Sequence, residues 1–179
     1  MPLRNYLLCL LLLLTLSSAA EGSHPPLPCE EQRVLALCER VVDGDTAWFQ
    51  VEEDGVLVTH KVRFLCIDTP ETVHPNMEAQ PFGREASDYV QATLEGKLVW
   101  LEYDQQRLDR YGRHLCHIWL QDGTLFNLQL VELGYAKVTL YPPNTKYSEH
   151  FLDAEEKAIN LRRGLWGLDL VPSFGEVEI

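Results

Sequence analysis

The chain has 179 residues and carries 15 Lys+Arg against 27 Asp+Glu, a formal net charge of −12. That length is enough for one domain with a substantial core. The acid surplus excludes capture of a polyanion by overall charge, so a nucleic-acid ligand would need a locally positive site or a bound metal.

The first elements concern targeting. Arg4 precedes a leucine-rich run from Leu7 to Leu16 and the small residues Ser17, Ser18, Ala19 and Ala20. This pattern reads as a secretory signal peptide over residues 1–20, with an apolar stretch too short to span a bilayer, and it implies export to the periplasm or the exterior without a retained anchor. Cleavage removes Arg4 and no acid, which takes the charge to −13. Pro25, Pro26 and Pro28 mark residues 21–32 as a tether. Cys29, Cys38, Cys66 and Cys116 remain, and an even count in an exported chain suggests disulfides. Nearness favours Cys29 with Cys38. Cys66 and Cys116 each follow an arginine by three positions and would meet if their strands are neighbours in register; otherwise both are small buried hydrophobes.

The domain starts near Arg33. Strand character runs over Val34 to Val42, Thr46 to Glu52 and Leu57 to Ile67, the last two joined by the hairpin signal Glu53-Asp54-Gly55. The period then changes: Arg84 to Glu95 puts Ala86, Tyr89, Val90 and Leu94 on one helical face before Gly96. Strands return over Lys97 to Tyr103 and Arg113 to Leu120, followed by a short helix over Leu125 to Leu133 that Gly134 stops. A last helix over Ser148 to Arg163 takes Ser148 as its cap, turns Phe151, Ala154, Ala158 and Ile159 inward and ends at Gly164. The result is an α+β domain of five strands and about three helices. A Greek-key barrel of the oligonucleotide-binding type fits this order, as does an open sheet with packed helices.

The chemistry lies in two acidic clusters and two arginines: Asp43-Gly44-Asp45-Thr46, Arg63, Asp68-Thr69-Pro70-Glu71 and Tyr111-Gly112-Arg113. The first cluster alone is a common turn. The second ends a strand at a proline, concentrating two carboxylates and a free carbonyl. Such oxygen donors suit calcium or magnesium rather than zinc, whose usual cysteine and histidine ligands are not clustered. Strand alternation sets Val62, Phe64 and Cys66 on one face and Arg63, Leu65 and Ile67 on the other, with Arg113 sharing a face with Leu115. An arginine among apolar neighbours is either half of a structural ion pair or a receptor for an anion; two of them bracketing an acidic cluster favour phosphate. His114 and His117, an odd number of strand positions apart, point to opposite faces and cannot share a metal.

In this order and spacing, Val42 to Thr46, Arg63, Asp68 to Glu71 with His74-Pro75, and Tyr111-Gly112-Arg113 closely resemble the staphylococcal-nuclease (thermonuclease-like) family, over roughly Val34 to Trp166. The resemblance implies an oligonucleotide-binding barrel over residues 33–167 with a tail over 168–179. It implies a calcium-dependent endonuclease acting as a monomer on DNA and RNA and leaving 3′-phosphate ends. By matching position, Asp45, Asp68 and the Thr69 carbonyl would hold calcium, with Asp43 fixing those ligands, and Arg63, Glu71 and Arg113 would be catalytic. Arg110, Tyr111 and Tyr141 would contact substrate, although the family has a lysine where Arg110 stands and the stretch around Tyr141 departs from its pattern. The alternative is a barrel that binds nucleic acid or protein without cutting.

Overall fold

The computed structural model describes residues 33–70 and 80–168. Residues 1–32 with Cys29, residues 71–79 with Glu71, His74 and Pro75, and residues 169–179 lie outside the described residues, and with them the expected signal peptide and tether and nearly all of the expected tail. None of the described helices is long and apolar enough to cross a membrane.

Five strands close into a barrel. β1 (Arg33–Val41), β2 (Thr46–Glu53) and β3 (Val56–Phe64) form an antiparallel meander. The β2–β3 hairpin turns on Asp54 and Gly55, both at positive φ (51° and 80°), as a tight hairpin turn of two residues requires. β5 (Leu98–Leu108) and β6 (His114–Trp119) are antiparallel to each other. β6 runs parallel to β3, and β5 pairs with β1 to close the ring in the order β1-β2-β3-β6-β5. The small pair β4 (Ile67–Asp68) and β7 (Lys137–Val138) stands beside it. The barrel thus replaces the open-sheet alternative. Its interior is built from alternate residues such as Ala47, Phe49 and Val51 of β2 and Val62 and Phe64 of β3, all at most 3% exposed.

Three α-helices accompany the barrel among the described residues: α1 (Gly83–Leu94), α2 (Phe126–Glu132) and α3 (Ser148–Asn160). α1 buries Ala86, Val90 and Leu94, and Gly96 follows it at φ +74, the left-handed conformation expected of a helix-terminating glycine. α3 and the turn before it cover the outer face of β5 and β6. There the buried Glu102 accepts hydrogen bonds from Trp119 Nε1 (2.5 Å), Tyr147 Oη (3.0 Å) and Lys146, while Arg33 lies over the Trp119 ring at 3.6 Å. Burial alone would raise the Glu102 carboxyl, but hydrogen bonds from Lys146 and Tyr147 outweigh it and hold it below the ordinary value. His117 is fully buried beside this cluster, between the rings of Tyr147 and Phe151, and neither ring nitrogen has a hydrogen-bond partner.

Several local expectations need correction. The third strand stops at Phe64 rather than Ile67, because Leu65 and Cys66 form a turn in which Cys66 takes φ +64. Alternation therefore fails across it, and Leu65, Cys66 and Ile67 are all buried. Arg113 precedes β6 instead of starting it, and β5 extends five residues past Tyr103 to Leu108. α3 ends at Asn160 with Ile159 exposed, and Ser148 is its first residue rather than its cap, Tyr147 holding the cap position in left-handed conformation. Cys66 and Cys116 are separate buried thiols, not a disulfide; burial pushes the Cys66 thiol up to about 12 and the Cys116 thiol further up. Cys38 is likewise a buried free thiol, its proposed partner Cys29 lying outside the described residues.

Candidate active site

The turn between β3 and β4 brings the first acidic cluster, Arg63 and the second cluster together. Arg63 Nη1 donates to the carbonyl oxygens of Phe64 and Ile67, each at 2.8 Å, so the guanidinium braces that turn. Its Nη2 meets Asp45 Oδ2 at 3.1 Å and Asp68 Oδ1 at 3.0 Å. Arg63 is thus one member of an ion-pair triad, and it also lines a cavity.

Asp45 is held from several sides. Thr46 Oγ1 donates to its Oδ1 at 2.9 Å, and the backbone N–H and hydroxyl of Thr69 approach its Oδ2 at 3.3 and 3.4 Å. The backbone N–H of Asp45 donates to Asp43 Oδ1 at 3.1 Å, which places Asp43 behind the cluster as a turn brace. Burial and the neighbouring Asp45 carboxylate push Asp43 up to about 6. Burial likewise raises Asp68, with Arg63 pulling it back. Gly44 packs directly on Thr69: a Cβ there would lie 2.6 Å from the Thr69 hydroxyl and 2.8 Å from its Cβ. The two acidic segments can approach this closely only because position 44 has no side chain.

These residues offer only oxygen donors, the kind a hard cation takes. Two carboxylate oxygens, one from the loop before β2 and one from β4, converge on one positive nitrogen, so they are already placed to share a charge, and every donor in the cluster is oxygen. Among the described residues no group of three or more His, Cys, Asp or Glu gathers. A metal at Asp45 and Asp68 would therefore find no third His, Cys, Asp or Glu ligand among the described residues.

Next to this cluster lies a cavity of about 500 Å³, whose lining includes Arg63, Arg110, Tyr111, Arg113, Leu115 and Tyr141. The structure thus unites residues that are far apart in sequence, Tyr141 included. Tyr111 and Tyr141 are 67% and 65% exposed at its rim, with the Arg110 guanidinium over the Tyr111 ring at 4.7 Å.

Two supports were not anticipated from sequence. Asp109 folds the Tyr111-Gly112-Arg113 segment around itself, accepting from the backbone N–H of Tyr111 (2.8 Å) and of Arg113 (2.9 Å) and from Arg113 Nε (2.7 Å). Gly112 takes φ +76 to complete this turn. Asn144, 2% exposed, fastens the Tyr141 side of the cavity to β5: its Oδ1 accepts from Gln106 N at 2.7 Å and its Nδ2 donates to Gln106 O at 2.9 Å. An aspartate four residues before an arginine, just ahead of a glycine turn, was a readable signal for the first. Nothing local signals the second.

A family model described as staphylococcal nuclease homologue matches residues 61–167. The chain belongs to the staphylococcal nuclease family. It is 43% identical over 127 residues to the thermonuclease of Staphylococcus hyicus, covering 71% of this chain and 72% of that one. It is 40% identical over 130 residues to the thermonuclease of Staphylococcus intermedius (73% and 74% covered). With the SPbeta prophage-derived endonuclease YokF of Bacillus subtilis it shares 38% over 138 residues, 76% of this chain and 45% of that protein. For a staphylococcal-nuclease homologue the five-stranded barrel is the expected scaffold, and both arginines, both aspartates and Thr69 stand on its outer side or in the turns beside it.

Proposed function

We propose that the protein is an exported, calcium-dependent endonuclease that hydrolyses phosphodiester bonds of DNA and RNA and leaves 3′-phosphate ends. The observation that carries this reading is the convergence of Asp45 and Asp68 on Arg63, which with Arg113 lines the adjoining cavity. A site built only for binding has no need of paired carboxylates beside the phosphate grip, since they repel the ligand unless a cation joins them. Kinship with proteins named thermonuclease and endonuclease supports the same activity. The leucine-rich leader supports export.

Asp45, Asp68 and the Thr69 carbonyl would hold calcium, which would supply positive charge against the anionic phosphate and lower the cost of activating water. The chain's own groups do the rest. Arg113 engages Asp109 through Nε, leaving its two terminal nitrogens to grip phosphate oxygens in bidentate fashion. Arg63 contributes the second guanidinium, and together they favour the pentacovalent arrangement, in which negative charge on the phosphate oxygens is greatest. Glu71 accepts the proton of the attacking water, the P–O5′ bond breaks opposite it, and the departing oxygen takes a proton from solvent. Tyr111 and Tyr141 flank the sugar and base.

The test is incubation of the purified protein with DNA and with RNA, in calcium and in chelator, with end-group analysis of the products. Calcium-dependent cleavage to 3′-phosphate ends is expected. Calcium should also raise the melting temperature, a readout independent of turnover. Absence of any metal-dependent cleavage would overturn the enzyme reading in favour of a non-catalytic binding barrel.

A further inference from the structure

On the outside of the barrel, three side chains from three adjacent strands stand in one transverse row. The pairing sets Arg40 of β1 opposite Trp48 of β2, and Trp48 opposite Lys61 of β3. Arg40 is there because of a β-bulge: register shifts between Cys38 and Arg40, so Cys38 still points into the core while Glu39 and Arg40 both face out. Re-aiming a side chain is what such an inserted residue does. Lys61 Nζ lies 5.9 Å from the Trp48 ring centre, and Trp48 keeps part of its surface exposed. Two inter-strand spacings set Arg40 and Lys61 on the order of 10 Å apart.

The row continues the catalytic site. Lys61 and Arg63 are alternate residues of β3 and share its outer face, while Thr46, opposite Arg63, is likewise two positions from Trp48 along β2. A strand of nucleic acid held at the cavity and running on over β3, β2 and β1 meets an indole with a cation on either side. An aromatic face accepts any base by stacking, and flanking cations accept the phosphates before and after it. In a chain of charge −12, two cations flanking one indole matter more than they would on a basic protein, because overall charge supplies no attraction for a polyanion.

Resting on the nuclease reading, we propose that Trp48, between Arg40 and Lys61, is a stacking subsite for an unpaired base of single-stranded nucleic acid, extending the substrate grip beyond the catalytic cavity. The subsite favours single strands over duplex, because a base must leave its own stack to lie on the indole.

The test is fluorescence anisotropy of the full chain in chelator with labelled oligothymidylate, either a dinucleotide or a strand of about ten residues, the latter within the usual span of such grooves. Trp48→Ala should weaken the longer strand about tenfold and the dinucleotide and an equal-length duplex far less. Trp48→Phe should restore most of the affinity, and Leu57→Ala at the hairpin tip should leave it unchanged. Arg40→Ala and Lys61→Ala should each flatten the slope of log affinity against log salt by about 0.7. Equal affinity of Trp48→Ala and wild type for the longer strand, or unaltered salt slopes in the folded Arg40 and Lys61 variants, would overturn the proposal. Cleavage in calcium is scored separately. A protein that binds in this pattern without cutting defeats the nuclease reading and keeps the subsite; one that cuts while Trp48→Ala binds like wild type does the reverse.

Discussion

Asp109 holds Arg113 at two points, one carboxylate oxygen taking its backbone N–H at 2.9 Å and the other its Nε at 2.7 Å. The arginine is thus fixed in backbone and side chain by a single acid. Asp109→Asn keeps the shape but loses an acceptor and the charge. Turnover should fall about ten- to hundredfold, as expected for losing a charge-assisted hydrogen bond of about 1.5–3 kcal/mol. Steady-state kinetics on DNA check this, and a wild-type rate would show that Arg113 needs no such anchor.

The two arginines should separate by stability. Arg63 satisfies the Phe64 and Ile67 carbonyls and two carboxylates, with its side chain 13% exposed. Arg63→Ala therefore leaves several groups unpaired and should cost about 2–4 kcal/mol. Arg113 is more open, and Arg113→Ala should cost about 1 kcal/mol or less. Both should abolish most activity. Denaturant unfolding of the two variants measures the difference, and equal losses would refute the bracing role.

Gly44→Ala would place a methyl 2.6 Å from the Thr69 hydroxyl. The two acidic segments must then part, at a cost of about 1–3 kcal/mol, and Asp45 and Asp68 should no longer share one cation. Expected results are a lower melting temperature and a weaker rise in it on adding calcium. A variant with wild-type calcium response would mean that this close approach is unnecessary.

His117 predicts an acid limit to stability. Burial lowers its pKa from 6.5 to about 4, so the folded protein holds the ring neutral while the unfolded chain protonates it. The contribution is fully present above pH 6.5 and is lost as pH falls towards 4, amounting to about 3 kcal/mol for a shift of this size. His117→Phe, with its ring between Tyr147 and Phe151, should remove this portion of the pH dependence. Melting curves from pH 7 to pH 4 test it: parallel losses in wild type and variant would assign the acid sensitivity elsewhere.

Much of this arrangement was legible in the sequence because its causes are local. Asp54-Gly55 specifies a tight turn by conformation, and the alternation of Ala47, Phe49 and Val51 marks a core-facing strand. Gly96 likewise shows where α1 ends. Strand patterns alone left the closure of the barrel open, since β1–β5 and the parallel β3–β6 pairing join segments with a helix or a long stretch of chain between them; the family resemblance pointed to it. Alternation predicted the face of Arg63 but failed beyond it, because the positive φ at Cys66 resets the phase and no glycine announces it. Arg113 was located but not its support, as Asp109 acts through a turn rather than through strand periodicity. Asn144 joins Gln106 across 38 positions, a distance at which no sequence pattern speaks.

The family match begins at residue 61, inside β3, whereas the barrel needs both strands before it. β1 bonds on one side to β2 and on the other to β5. A fragment excised at Lys61 would therefore leave β5 and the stub of β3 with open edges, and would uncover Phe64 and Leu101, which the intact ring keeps at 1% exposure or less. Open apolar edges of this kind pair with other chains. Such a piece would also lack Asp45, so it would be both insoluble and without half of its carboxylate pair. The smallest unit that can be produced in isolation is set by the hoop of hydrogen bonds and not by the span of recognisable similarity.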